Sequence, residues 1–141
     1  MVGVDESPGS RAALEGAARL ALGLGARLIV VHSVGLTARL EGDIVPANQH
    51  LDDLARRLHD DWTTPLGAYG DALTWEAVLE WGPPPEVLLR LAAQLGAAII
   101  VVGSRRHRET GPELLGSTSH HVVHHSRRPV VVVPAPDTQE D

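Results

Sequence analysis

The chain has 141 residues, 43% of them hydrophobic and 21% charged, with a formal net charge of -6; that length suits one domain around a single core. All twelve basic residues are Arg and cysteine is absent, which excludes disulfides, thiol chemistry, cysteine-type zinc sites, a lysine Schiff base and a Gly-Lys-Ser/Thr phosphate loop. The acidic balance speaks against nucleic-acid binding, no apolar run approaches the ~18 residues of a membrane span, and no basic-then-apolar leader stands at Met1, so a cytoplasmic protein is expected.

Residues 1–4 read as a short apolar strand ending at Asp5. Ser7 and Pro8 signal a helix start, Ser as cap and Pro in the first turn. Ala12, Ala13, Ala17, Leu20 and Leu24 follow at helical spacing, and Gly23 and Gly25 end that helix. Residues 27–34 (RLIVVHSV) are the β-branched run of a strand buried on both faces. Residues 35–49 predict a loop or lid, and 50–62 a helix through Leu51, Leu54 and Leu58. Residues 74–81 predict a strand, and three prolines after Gly82 make a rigid turn into a helix over 86–95. Residues 97–102 and 129–133 predict two more buried strands, with a helix from near Ser117 between them. Trp62, Trp75 and Trp81 are expected to cover the sheet and one of its edges.

Strands alternating with helices imply a parallel sheet with helices on both faces and right-handed crossovers. Such sheets bind ligands at the carboxyl ends of their strands, where the strand order reverses. Asp5, Ser33 and Gly103 all fall at strand carboxyl ends. Gly103 follows a strand, where a glycine lets backbone approach a ligand. Gly116, Ser117 and Thr118 open a helix, offering unpaired N–H groups and two hydroxyls to an anion. Asp5 can equally cap the following helix, and Gly103 and Gly116 can be ordinary turn glycines.

Four histidines, His120, His121, His124 and His125, stand at i, i+4 spacing on the last helix. They fall opposite Ser119, Val122, Val123 and Ser126. The valine side is expected to face the sheet and the histidines to face solvent, with no third ligand nearby and therefore no native metal. His32, inside an apolar strand, reads as a packed histidine rather than a base. Gly23-Leu24-Gly25 follows a helix and precedes a strand, the reverse of a dinucleotide fingerprint. No Gly-x-Ser-x-Gly elbow is present.

The segments VGVDESPGSRAAL, GARLIVVHSV, AAIIVVGS and LGSTSHHVVHHSRRPVVVVP together resemble the universal stress protein family over nearly the whole chain. The resemblance implies a domain over residues 1–134 with a flexible acidic tail over 135–141. It implies a three-layer α/β fold of the adenine nucleotide alpha hydrolase-like type. The sheet would have five parallel strands in the order 3-2-1-4-5, and the chain opens inside the first of them. The family's ATP motif runs Gly, two residues, Gly, nine residues, Gly, then Ser or Thr. Gly103, Gly116 and Ser117 match it, and Arg106 stands where the second Gly belongs.

By this resemblance Val4, Asp5 and the backbone around Ser33 hold the adenosine end of a nucleotide, ATP or a relative with its Mg²⁺. Gly103, Gly116, Ser117 and Thr118 hold the phosphates. Arg106 either contacts phosphate, fills the pocket, or lies in a solvated basic loop with Arg105, His107 and Arg108. A homodimer is expected through an edge strand containing Val130, Val131, Val132 and Val133. The expected function is a nucleotide-binding stress-response module with an unknown protein partner. The alternatives are an interaction or chaperone-like protein without nucleotide, and a slow ATPase. Without a lysine, a clear general base or a clustered acid pair, an enzyme is not expected.

Overall fold

The structure is a computed structural model that describes residues 1–34, 47–104 and 115–136. Among these described residues eleven elements follow one another. They are β1 (Val2–Gly3), α1 (Pro8–Leu24), β2 (Leu28–Val34), α2 (Ala47–Arg56), a π-helical segment (Arg57–Trp62) and a 3-10 segment (Thr64–Ala72). Then come β3 (Trp75–Trp81), α3 (Pro84–Leu95), β4 (Ile100–Gly103), α4 (Ser117–His125) and β5 (Val130–Val133).

The five strands form one parallel sheet in the order β3-β2-β1-β4-β5. Every strand pairing among them is parallel, β1 lying between β2 and β4. The order turns back between β1 and β4, which is the expected switch point. β5 is an edge strand, half-buried at all four positions.

Two apolar clusters sandwich the sheet. On one face α1 contributes Ala13, Leu14, Ala17, Ala18 and Ala21, joined by Leu58, Leu66 and Leu73. On the other, α3 contributes Val87, Leu88, Leu91 and Ala92, and α4 contributes Val122. The small alanine face lets α1 lie close on the strands, and strands covered on both sides need no polar alternation.

Local signals explain the helix ends. Ser7 caps α1, its hydroxyl accepting from Ser10 N–H at 3.2 Å. Such a cap contributes about 1 kcal/mol. Gly25 ends α1 in the left-handed conformation at φ 62°, which glycine adopts without a β-carbon penalty. α3 begins two residues before the expected start, because prolines fit the first turn, where N–H groups have no partner.

Three expectations are corrected. Residues 47–49 belong to α2 rather than to a loop. The helix expected over 50–62 ends in a π-helical turn from Arg57, a local widening that periodicity does not encode. Val123 is 41% exposed while Val122 is fully buried. A helix of nine residues lying on a sheet through Ser119 and Val122 leaves the neighbouring position turned outward. Residues 35–46, the basic loop with Arg105, Arg106, His107 and Arg108, and residues 137–141 lie outside the described residues. Ala135 N–H donates to Ser104 Oγ at 3.1 Å, so the chain just after β5 stays beside the end of β4. No helix among the described residues is long and apolar enough to cross a membrane.

Candidate functional site

A cleft enclosing about 790 Å³ of solvent-open space lies at the carboxyl ends of β1, β2 and β4, over the switch point. The sheet brings Val4, Asp5 and Ser33 to one part of it. Gly103, Gly116 and Thr118 come from β4 and the entry to α4. Ser117 does not line the cleft and is exposed at the helix start. Arg106 lies outside the described residues.

Asp5 combines its two expected roles. Its Oδ1 accepts Ser7 N–H at 2.7 Å, and its own N–H donates to Ser10 Oγ at 2.7 Å. The first contact is a turn in which the side chain mimics backbone. The carboxylate is therefore fixed at the cleft wall by the same residues that start α1. Val4 is buried and held between strands, its N–H donating to the Val31 carbonyl at 2.8 Å. The Val4 carbonyl accepts from His32 Nδ1 at 2.8 Å, which sets the proton of a neutral His32 on Nδ1. The His32 ring packs edge-on against Trp62 with centroids 4.7 Å apart. It is the packed histidine of the sequence reading, and it also lines the cleft.

On the opposite wall, Ser119 is buried and its hydroxyl donates to the Gly103 carbonyl at 2.5 Å, tying α4 to the end of β4. Ser104 is buried behind it and accepts the Ala135 N–H. Gly103 owes its missing side chain to the fold. A β-carbon there would stand 2.5 Å from the Gly9 carbonyl oxygen, in the first turn of α1. Gly116 caps α4 through backbone alone, at φ -63° and ψ 167°, with no side-chain bond to the first turn. The start of α4 borders the cleft through Gly116 and Thr118, and a helix start favours negative charge.

Ser7, Gly9, Ser10, Ser104 and Ser119 also line the cleft. Their sequence signals were a cap, a helix interior and a strand end, none of which says what lies across the fold. Gly9 had the clearest signal, a poor helix former placed inside a first turn. Asp5 is the one carboxylate among the described lining residues. Hydroxyls, amide groups and one carboxylate suit a polar ligand with both hydroxyl and anionic groups.

The universal stress protein family model matches residues 1–134. The chain is 29% identical over 142 residues to the universal stress protein YxiE of Bacillus subtilis (strain 168), covering 94% of this chain and 96% of that one. It is similar to the structure of a universal stress protein from Archaeoglobus fulgidus, with 26% identity, a TM-score of 0.69, and coverage of 94% of this chain and 95% of that one. It is also similar to a universal stress protein solved in complex with cAMP, with 26% identity, a TM-score of 0.67, and coverage of 96% and 94%.

Proposed function

The chain belongs to the universal stress protein family, and from that premise we propose that it is a small adenine-nucleotide-binding module of the stress response. The observation that carries the reading is the cleft at the switch point. It gathers Val4, Asp5 and Ser33 on one side and Gly103, Gly116 and Thr118 on the other. The adenosine end would lie toward Asp5 and Ser33. Hydroxyls at that end are natural partners for the carboxylate, which is held in place by Ser7 N–H. The phosphates would lie at the start of α4. A similar protein, at 26% identity, was solved with cAMP. Arg106 replaces the second glycine of the motif, and its side chain lowers affinity. The module works as a homodimer paired through β5, and in the cytoplasm.

Calorimetry of the full chain with ATP and AMP, with and without Mg²⁺, tests the reading. Saturable binding is expected. No heat and no thermal shift at millimolar nucleotide would overturn it.

A second reading is a member of the family that binds protein partners without nucleotide. One observation favours it. Gly103 is already required by its contact with Gly9, so this glycine is no independent sign of a phosphate. The same calorimetry decides between the two.

A further inference from the structure

The exposed side of α4 has a chemistry that the cleft does not use. His120 and His124 have ring centroids 4.3 Å apart, and His121 and His125 have theirs 4.4 Å apart. His120, His124 and His125 are exposed and His121 is half-buried. Four imidazoles thus form two neighbouring pairs on one short helix, each pair spanning one turn with its rings tilted by 48° and 37°.

We propose that α4 carries two bis-imidazole clamps, His120–His124 and His121–His125, each taking one exchangeable divalent transition-metal ion of the copper, nickel and zinc class. Geometry is the first support. Two nitrogen ligands of a tetrahedral ion with bonds of about 2.0–2.1 Å stand roughly 3.4 Å apart. Rings paired at 4.3 and 4.4 Å reach that spacing by side-chain rotation alone.

Rigidity is the second support. Val122 is fully buried and the Ser119 hydroxyl is bonded to the Gly103 carbonyl, so the backbone under the histidines is held from the opposite side. Position is the third support. His124 and His125 are in the last turn of α4, where the helix dipole favours a cation. Ligand type sets the metal class, since imidazole suits copper, nickel and zinc rather than magnesium or calcium.

Among the described residues, no group of three or more His, Asp or Glu side chains could hold a metal together. Each clamp therefore supplies two ligands and leaves the other positions to water. Such an ion is exchangeable, and an incoming ligand can replace its water. The expectation of a solvent face without metal rests on the lack of a third ligand, and the proposal departs from it only in taking two close rings as sufficient for an exchangeable ion.

The test is titration of the full chain, without any affinity tag, with zinc chloride and separately with nickel chloride, followed by calorimetry and thermal shift. Two ions per chain are expected, with a raised melting temperature, and magnesium chloride is expected to give neither. His124→Gln should remove one ion, weakening that site about a hundredfold because its second contact is no longer intramolecular. His124→Gln with His125→Gln should remove both. His120→Gln with His121→Gln should do the same from the other end of the helix, and circular dichroism of each variant reports folding. Unchanged stoichiometry in both double variants would place the ions elsewhere and overturn the proposal. So would one ion per chain in the unmodified protein, or no saturation below millimolar metal. Because no nucleotide is present, these outcomes are independent of the cleft reading.

Discussion

Gly9 and Gly103 meet backbone to backbone, and neither position has room for a methyl group. A β-carbon on Gly103 would stand 2.5 Å from the Gly9 carbonyl oxygen, and one on Gly9 would stand 2.6 Å from the carbonyl oxygen of Ser104. Each neighbouring atom is main chain, which cannot rotate away. The start of α1 and the end of β4 are thereby drawn together beneath the cleft.

Gly103→Ala and Gly9→Ala are each expected to lower stability by about 1–3 kcal/mol, the usual cost of overpacking. Urea unfolding measures this. The double variant should cost less than the sum, because the first methyl already pushes α1 off β4 and the second meets a widened gap. Full additivity would show that the two glycines do not share one contact.

Gly116→Val separates binding from folding. Gly116 sits at φ -63°, a conformation open to every residue, so stability should change by less than about 1 kcal/mol. A side chain at the mouth of the α4 amide groups should abolish nucleotide binding in calorimetry. Undiminished affinity would move the phosphates away from α4.

Arg106→Gly restores the family's glycine motif. Nucleotide affinity should rise by about 1–3 kcal/mol if the arginine side chain lowers it as proposed. A fall in affinity would instead identify Arg106 as a phosphate contact.

Removing the Ser119 hydroxyl should be felt in both folding and binding. Ser119→Ala leaves the Gly103 carbonyl without its buried donor, a loss of about 1–3 kcal/mol. Thermal unfolding and calorimetry together test it. A variant with unchanged stability would show that water replaces the hydroxyl without cost.

β5 presents four valines along a sheet edge that is unpaired among the described residues, and such an edge invites pairing with a second copy. Analytical ultracentrifugation of the unmodified protein at micromolar concentration should show a dimer, and Val132→Glu should give monomer or precipitate. A monodisperse monomer from the unmodified chain would count decisively against the pairing. Any hydrolysis of ATP by the protein is expected to be far slower than the ~10 s⁻¹ of a median enzyme.

The architecture was legible because its signals are local. Continuous β-branched runs marked β2, β4 and β5, and Ser7, Pro8 and Gly25 marked the ends of α1. Asp5, Ser33, Gly103, Gly116 and Thr118 could be named in advance because each stands at the end of an element, and a parallel sheet brings such ends together. What lies across the fold was not legible. Ser10 and Ser119 looked like ordinary helix residues, yet one accepts from Asp5 N–H and the other donates to Gly103. The π-helical turn that sets Trp62 against His32 has no periodic signature, since it is one widened turn at the end of a regular pattern.

The short central strand also governs the order in which the molecule can be assembled on the ribosome. β1 pairs through Val2 and Gly3 with β2, its near neighbour in sequence, and through Val2 with Val101 of β4, which is translated far later. The β3-β2-β1 half can therefore condense early, while the β4-β5 half must wait for the chain's last third. The cleft spans the seam between these halves, because Asp5 and Ser33 belong to the early one and Gly103 and Gly116 to the late one. A nascent chain stalled before residue 116 has Gly103 and Ser104 but lacks Gly116, Thr118 and Ser119 of the late half's wall. The cleft is thus complete only once the second half has been made and docked on the first.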